Sequence, residues 1–144
     1  MSVKPIPDGY TTITPYLVVE DANKAIEFIE KIFDGQLLFK LQNEAEKITH
    51  AEIKIGNSML MLAEASEEWK PTRSMLHLYV EDIDATYQKA LEAGATTVKE
   101  PKDEFYGDRA GCVQDNFGNF WGIATHIEDV SEEEMTRRAS AGAN

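Results

Sequence analysis

Leu17-Val18-Val19-Glu20-Asp21 recurs as Leu78-Tyr79-Val80-Glu81-Asp82, with four identities in five positions at an offset of 61 residues. A second echo follows in the same order: Gly56-Asn57-Ser58-Met59 resembles Gly118-Asn119-Phe120-Trp121 at an offset of 62. Two echoes at nearly one spacing mark an internal duplication. The runs Ile13 to Val19 and Met75 to Val80 alternate and are rich in β-formers. Each ends in Glu-Asp, and each aspartate is suited to cap a helix. Behind Asp21, the residues Ala22, Ala25, Ile26, Ile29, Ile32 and Phe33 form a helical stripe; behind Asp82, Ile83, Tyr87, Ala90 and Leu91 do the same. Gly35 and Gly94 are placed to end these helices in the left-handed conformation.

Strands should follow each helix. The first half predicts them at about 36–41, 48–55 and 58–62, with a tight turn through Ile55-Gly56-Asn57-Ser58. The second half predicts them at about 96–99, 110–114 and 120–126, with a turn through Asp115-Asn116-Phe117-Gly118-Asn119. Each half therefore reads β-α-β-β-β, and the fold class is α+β. The 144 residues suit a single domain. Unit one spans about 10–62, a linker containing Pro71 spans 63–73, and unit two spans about 74–127. A short helix is expected over about 131–138, where Ser131 precedes three glutamates.

Composition narrows the function. The formal net charge of −12 opposes phosphate backbones, so nucleic-acid binding is not expected, while a cationic ligand is favoured. No apolar run reaches membrane-spanning length, and Met1-Ser2-Val3-Lys4-Pro5 lacks the apolar core of a secretory signal. Cys112 is the only cysteine, which excludes an intrachain disulfide and a zinc knuckle. These features fit a cytoplasmic protein.

Two βαβββ units in a chain of this size resemble the vicinal oxygen chelate superfamily of glyoxalases, bleomycin-resistance proteins and extradiol dioxygenases. The resemblance covers roughly residues 10 to 127. Ile13-Thr14-Pro15-Tyr16-Leu17-Val18-Val19, His50-Ala51-Glu52-Ile53-Lys54-Ile55-Gly56 and Gly107-Asp108-Arg109 with Asp115-Asn116-Phe117-Gly118-Asn119-Phe120-Trp121 look similar to its PhnB-like branch. That branch usually reads Asp-Pro-Phe-Gly-His at the last turn; here Asn116 and Asn119 replace the proline and the histidine, and any role of that histidine is lost. The resemblance implies two units forming a glyoxalase-like half-barrel cavity around a small ligand, and a homodimer. In catalytic members it also implies a divalent metal with four His, Glu or Gln ligands, two from the first strands and two from the last.

Carried over one by one, those positions are Thr14 and Met75 on the first strands and Met61 and Gly122 on the last, or Leu60 and Ile123 if the register slips by one. None is a usual ligand of such a metal. No metal and no cofactor are therefore expected, and glyoxalase I activity and extradiol cleavage are not expected either. A displaced metal site has only His50, Glu52 and His77 to draw on.

Strand parity sorts the remaining candidates. Leu17, Val19, Leu76, Leu78 and Val80 form an apolar face to pack under the helices. Thr14, Tyr16, Val18, Met75, His77 and Tyr79 lie on the other face, with the mixed chemistry of a small-molecule pocket. His50 and Glu52 share a face at i and i+2. They form either a carboxylate-oriented base or a half-exposed pair on an ordinary strand. Tyr16 and His77 are related by the repeat offset and are expected to face each other across the cavity floor, unless both serve as core residues. Met59, Met61 and Met75 suit an adaptable pocket or plain packing. On the last strand Phe120, Gly122 and Ala124 alternate with Trp121 and Ile123, and parity does not decide which set faces inward; Trp121 is counted among the ligand residues. Arg109 suits a ligand carboxylate or phosphate, or a structural pair with Asp108 or Asp115. Cys112 reads as a buried inert thiol and His126 as a surface residue.

The expected function is a metal-free small-molecule binding protein that holds an organic ligand between the two units. The alternatives are an isomerase or lyase using His50 and Glu52 or a displaced metal, and a dimeric partner-binding module.

Overall fold

The computed structural model describes residues 2–142 and divides into two compact units, one ending at Ser74 and the next beginning at Met75. The first contains β1 (Tyr16–Val19), α1 (Ala22–Phe33), β2 (Gln36–Gln42), β3 (Ile48–Ile55) and β4 (Ser58–Glu64). Its sheet runs β1-β4-β3-β2, with β1 parallel to β4 and the other pairs antiparallel. The second contains β5 (Met75–Tyr79), α2 (Ile83–Glu92), β6 (Thr96–Asp103), β7 (Asp108–Gln114), β8 (Phe120–His126) and α3 (Glu132–Ser140). Its sheet repeats the order, β5-β8-β7-β6, with β5 parallel to β8. The duplication read from sequence is thus a duplication of topology, and the fold is two tandem βαβββ units.

In the first unit the helical stripe buries Ala22, Ala25, Ile26, Ile29, Ile32 and Phe33 against Leu17, Val19, Ala51, Ile53, Leu60 and Leu62. Asp21 caps α1 through its carboxylate, which accepts from Lys24 N–H. Glu64 at the end of β4 accepts from the backbone N–H groups of Asp21 and Ala22, so the parallel strand also secures the helix start. After β4 the chain returns along the free edge of β1: Thr72 N–H donates to Val18 O at 2.9 Å, and Val18 N–H donates to Thr72 Oγ1 at 3.0 Å. Val18, expected on the open face, is buried there.

Several local expectations are corrected. The first strand starts at Tyr16 rather than Ile13, because Pro15 has no N–H to give to a ladder; its carbonyl still accepts from Met61 N–H at 3.0 Å. The left-handed residue ending α1 is Asp34, at φ 53°, not Gly35. Gly35 is needed for closeness instead, since a Cβ there would lie 2.8 Å from Ile29 Cγ2. Gly94 does take positive φ.

In the second unit β6 extends to Asp103 and β7 begins at Asp108, both beyond the expected spans. Ser131 Oγ accepts from Glu134 N–H at the start of α3. Arg138 ties that helix back, donating to Phe105 O at 2.9 Å and to both oxygens of Glu128.

Candidate functional site

Strand register builds the first unit's open face. Along β3, Ala51 and Ile53 point into the core under α1, so His50 and Glu52 point the other way. Glu52 pairs with Phe39 on β2 and Met61 on β4, Leu41 pairs with His50, and Met61 pairs with Tyr16 on β1. Tyr16, Met61, His50, Glu52, Phe39 and Leu41 therefore share one face. Tyr16, Phe39 and Leu41 are exposed on it at 43%, 47% and 50%.

Four polar groups on this side form a continuous chain. Tyr16 Oη lies 3.0 Å from His50 Nδ1, and His50 Nε2 lies 2.9 Å from Glu52 Oε2. Tyr10, from the segment before β1, donates its hydroxyl to Glu52 Oε1. The tautomer that satisfies every contact protonates Nε2, which donates to Glu52, and leaves Nδ1 to accept from Tyr16. The charges agree with this assignment. Hydrogen bonds from Tyr10 and then His50 hold the Glu52 carboxyl below its ordinary range. Burial, the bond to Glu52 and its charge push the Tyr10 phenol up to about 12. Burial, helped by the Glu52 charge, also raises Tyr16. Glu52 is thus the anion of the group and both phenols keep their protons.

Beside this chain lies a cleft of about 410 Å3, within the first unit. Pro5, Pro7, Tyr10, Thr14, Glu52 and Met61 are among the residues that line it. Among the described residues no Lys or Arg lines it.

The second unit repeats the backbone but not the chemistry. His77 pairs with Gly122, and Gly122 with Cys112, just as Tyr16 pairs with Met61 and Met61 with Glu52. A Cβ on Gly122 would lie 2.8 Å from His77 Nδ1, so this glycine makes room for the imidazole. His77 stacks edge-on against Tyr79, with ring centroids 5.2 Å apart. Tyr79 donates its hydroxyl to Asp108 Oδ2 at 2.8 Å, and Asp108 Oδ1 holds His126 Nδ1 at 2.8 Å. Cys112 is buried, and desolvation raises its thiol. Met75 is exposed.

Two candidates need correction. Trp121 does not face a ligand: it is 1% exposed, on the β8 face shared with buried Ile123, and its indole N–H donates to Asp115 Oδ2 at 2.8 Å. Gly122 is on the face of His77, which settles the parity of the last strand. Arg109 is committed to α2 and β6, gripping both oxygens of Asp84 at 2.9 and 3.0 Å and Asp103 at 3.1 Å. Neither Asp108 nor Asp115 is its partner. His126 is half-exposed but its ring is held at both ends, by Asp108 and by Asp129 at 2.7 Å. Tyr10 was missed by sequence reasoning, because it precedes the repeat and carries no periodic signal.

The bonds to Asp108 and then Asp129 raise the His126 pKa above its ordinary value. Its stabilising contribution is therefore full below the unfolded pKa and is lost as pH rises through the folded one. The urea midpoint gap between wild type and His126→Gln should be widest near about pH 6 and shrink by about pH 9. A gap that widens with pH would contradict the arrangement.

The superfamily metal does not fit the donors present. Thr14 and Met61 in the first unit, and Met75 and Gly122 in the second, offer no imidazole or carboxylate, and the register alternatives Leu60 and Ile123 are core residues. Among the described residues no three His, Cys, Asp or Glu side chains group to hold a metal.

Fold and sequence together define the class: the chain belongs to the glyoxalase/bleomycin resistance protein/dioxygenase superfamily, whose profile it matches over residues 9–123. It is 34% identical over 140 residues to an uncharacterized protein of Mycobacterium bovis, covering 90% of this chain and 92% of that one. Among solved structures it is similar to TioX from a Micromonospora species, with TM-score 0.69 and 24% identity over 81% of this chain and 99% of that one. It is also similar to a PhnB protein from Bacillus cereus, with TM-score 0.67 and 18% identity over 80% and 99%. Among the described residues no helix is long and apolar enough to cross a membrane.

Proposed function

We propose that this chain binds a small organic molecule on the His50–Glu52 side of its first unit without the superfamily's metal, and that it is a homodimer of the PhnB-like branch. One observation carries the binding reading. Thr14 and Met61, the positions to which the family resemblance assigns metal ligands, are walls of a cleft of about 410 Å3, beside an ionised Glu52. That volume falls within the roughly 300–1,000 Å3 of small-molecule pockets. Proline and methionine walls with a few converging hydroxyls and one carboxylate suit an organic ligand. The absence of Lys and Arg from the lining, and the net charge of −12, favour a cationic one. The PhnB-like stretches quoted above and the similarity to the Bacillus cereus protein support the branch, although Asn119 departs from it.

Native mass spectrometry of the whole chain with tryptamine and with benzoate tests the reading. Tryptamine should form the stronger adduct, weakened about tenfold or more in Glu52→Gln. Equal binding of benzoate, or a tryptamine adduct indifferent to Glu52→Gln, would sink it. After incubation with manganese, nickel or zinc and desalting, elemental analysis should find only substoichiometric metal. Tight stoichiometric metal that disappears in His50→Ala would overturn the metal-free reading.

The hydrogen-bonded row Tyr16–His50–Glu52 favours a second reading, an isomerase or lyase that moves a proton at this face.

A further inference from the structure

We infer that Tyr16, His50 and Glu52 form a proton-transfer triad whose reacting group is the Tyr16 phenol, and that it serves ligands carrying a protonated imine. The inference rests on the reading of this face as a ligand site. The geometry is that of a hydroxyl, a base and an orienting carboxylate in one line: 3.0 Å from Tyr16 Oη to Nδ1, then 2.9 Å from Nε2 to Glu52. Tyr10 fixes the far oxygen of Glu52, so the carboxylate stays aimed at the imidazole. Glu52 and Tyr10 line the cleft and act in the transfer as positioning residues; Tyr16 is the most exposed of the four polar groups, and Met61, its strand partner, also lines the cleft.

The relay moves two protons together. A proton leaving the ligand arrives on Tyr16 Oη as the phenolic proton passes to His50 Nδ1, and the resulting imidazolium sits against Glu52. Tyr16 is neutral before and after, which suits a phenol that burial keeps protonated. The charges select the substrate. Taking a proton from a neutral ketone would create an enolate beside Glu52, with no Lys or Arg in the cleft lining to receive it. Lys54 shares the strand face but lies two positions beyond Glu52 and four beyond His50. A protonated imine starts positive, gains from the carboxylate, and becomes a neutral enamine. Its α C–H electron pair forms the new C=C bond while the C=N π pair returns to nitrogen. Reversal returns a proton to that same carbon from either face, so its hydrogen exchanges or its configuration inverts without oxidant or metal.

The unit-two counterparts lack this chemistry: Cys112 occupies the place of Glu52, and His77 that of Tyr16. The activity is therefore assigned to one unit only.

The test is hydrogen–deuterium exchange in D2O, followed by proton NMR, on 2-methyl-1-pyrroline as the cyclic imine probe, with cyclopentanone as neutral control. Saturation-transfer NMR on the same samples reports binding. Wild-type protein should bind the imine and accelerate exchange of its α protons, leaving cyclopentanone at the buffer rate. Tyr16→Phe and His50→Gln should each lower the exchange rate about 100-fold while still binding the probe. Glu52→Asp should retain more exchange than Glu52→Gln, and pH–rate profiles should differ between those two, which a merely structural carboxylate would not cause. Binding without exchange overturns the triad and leaves the binding reading intact. No binding of the imine overturns both. Exchange that survives Tyr16→Phe removes Tyr16 as the reacting group.

Discussion

Trp121→Ala should lower the unfolding free energy by about 4 kcal/mol, the order seen when a large aromatic is deleted from a packed core. Trp121 is 1% exposed and is the largest fully buried side chain among the described residues. Its loss opens a cavity next to Ile123 and Val113, which cannot collapse without dragging β8 away from its partners on both sides. It also strips the indole donor from Asp115. That carboxylate is only 7% exposed and accepts from Phe117 N–H, Asn119 N–H and Trp121 Nε1–H, so it ties the β7–β8 turn to the core. Trp121→Phe keeps most of the volume and loses the donor, so about 2 kcal/mol is expected. Urea unfolding followed by far-ultraviolet circular dichroism measures both. A loss below about 1 kcal/mol for the alanine variant would return Trp121 to the list of exposed, ligand-facing residues.

Trp121 also shows where the sequence stops being informative. The repeat located both first strands, both helices and both closing hairpins, because strand alternation, capping aspartates and helical stripes are local signals that survive duplication. It also placed His50 and Glu52 on one face, since period two over Ala51 and Ile53 leaves no choice. For the last strand, alternation alone gave two equivalent faces: Trp121 and Ile123 are apolar, and so are Phe120 and Ala124. Only pairing with β5, where Gly122 meets His77, separates them. Arg109 was ambiguous for a similar reason. Its partners Asp84 and Asp103 come from α2 and β6, and a sequence names charges without saying which elements converge. Tyr10 was beyond reach because its partner is 42 residues away and no periodicity links the two. What the sequence missed at the candidate site is thus the part built by long-range convergence: one phenol from an irregular segment, and a second phenol whose reach to His50 depends on β4 lying between β1 and β3.

Gly107→Ala should cost about 3 kcal/mol, with a loss of order around Asp108. Gly107 has φ 100°, and a Cβ there would overlap the carbonyl oxygen of Glu128 and crowd Val130 Cγ2 at 3.1 Å. The close approach is structural: Gly107 O accepts from both Ile127 N–H, at 2.8 Å, and Glu128 N–H, at 3.0 Å, pinning the exit of β8 to the entry of β7. Moving either strand end displaces Asp108, whose carboxylate carries Tyr79 on one oxygen and His126 on the other. Gly118→Ala supplies the control. Gly118 has φ 90° but no neighbour within 4 Å of an added Cβ, so only backbone strain of about 1–2 kcal/mol is expected. The difference between the two variants in urea midpoint isolates the steric term. If Gly107→Ala also flattens the pH dependence assigned to His126, the strand-end contact and the Asp108 cluster act as one element. If stability falls while that pH dependence is unchanged, Gly107 closes the turn without positioning Asp108.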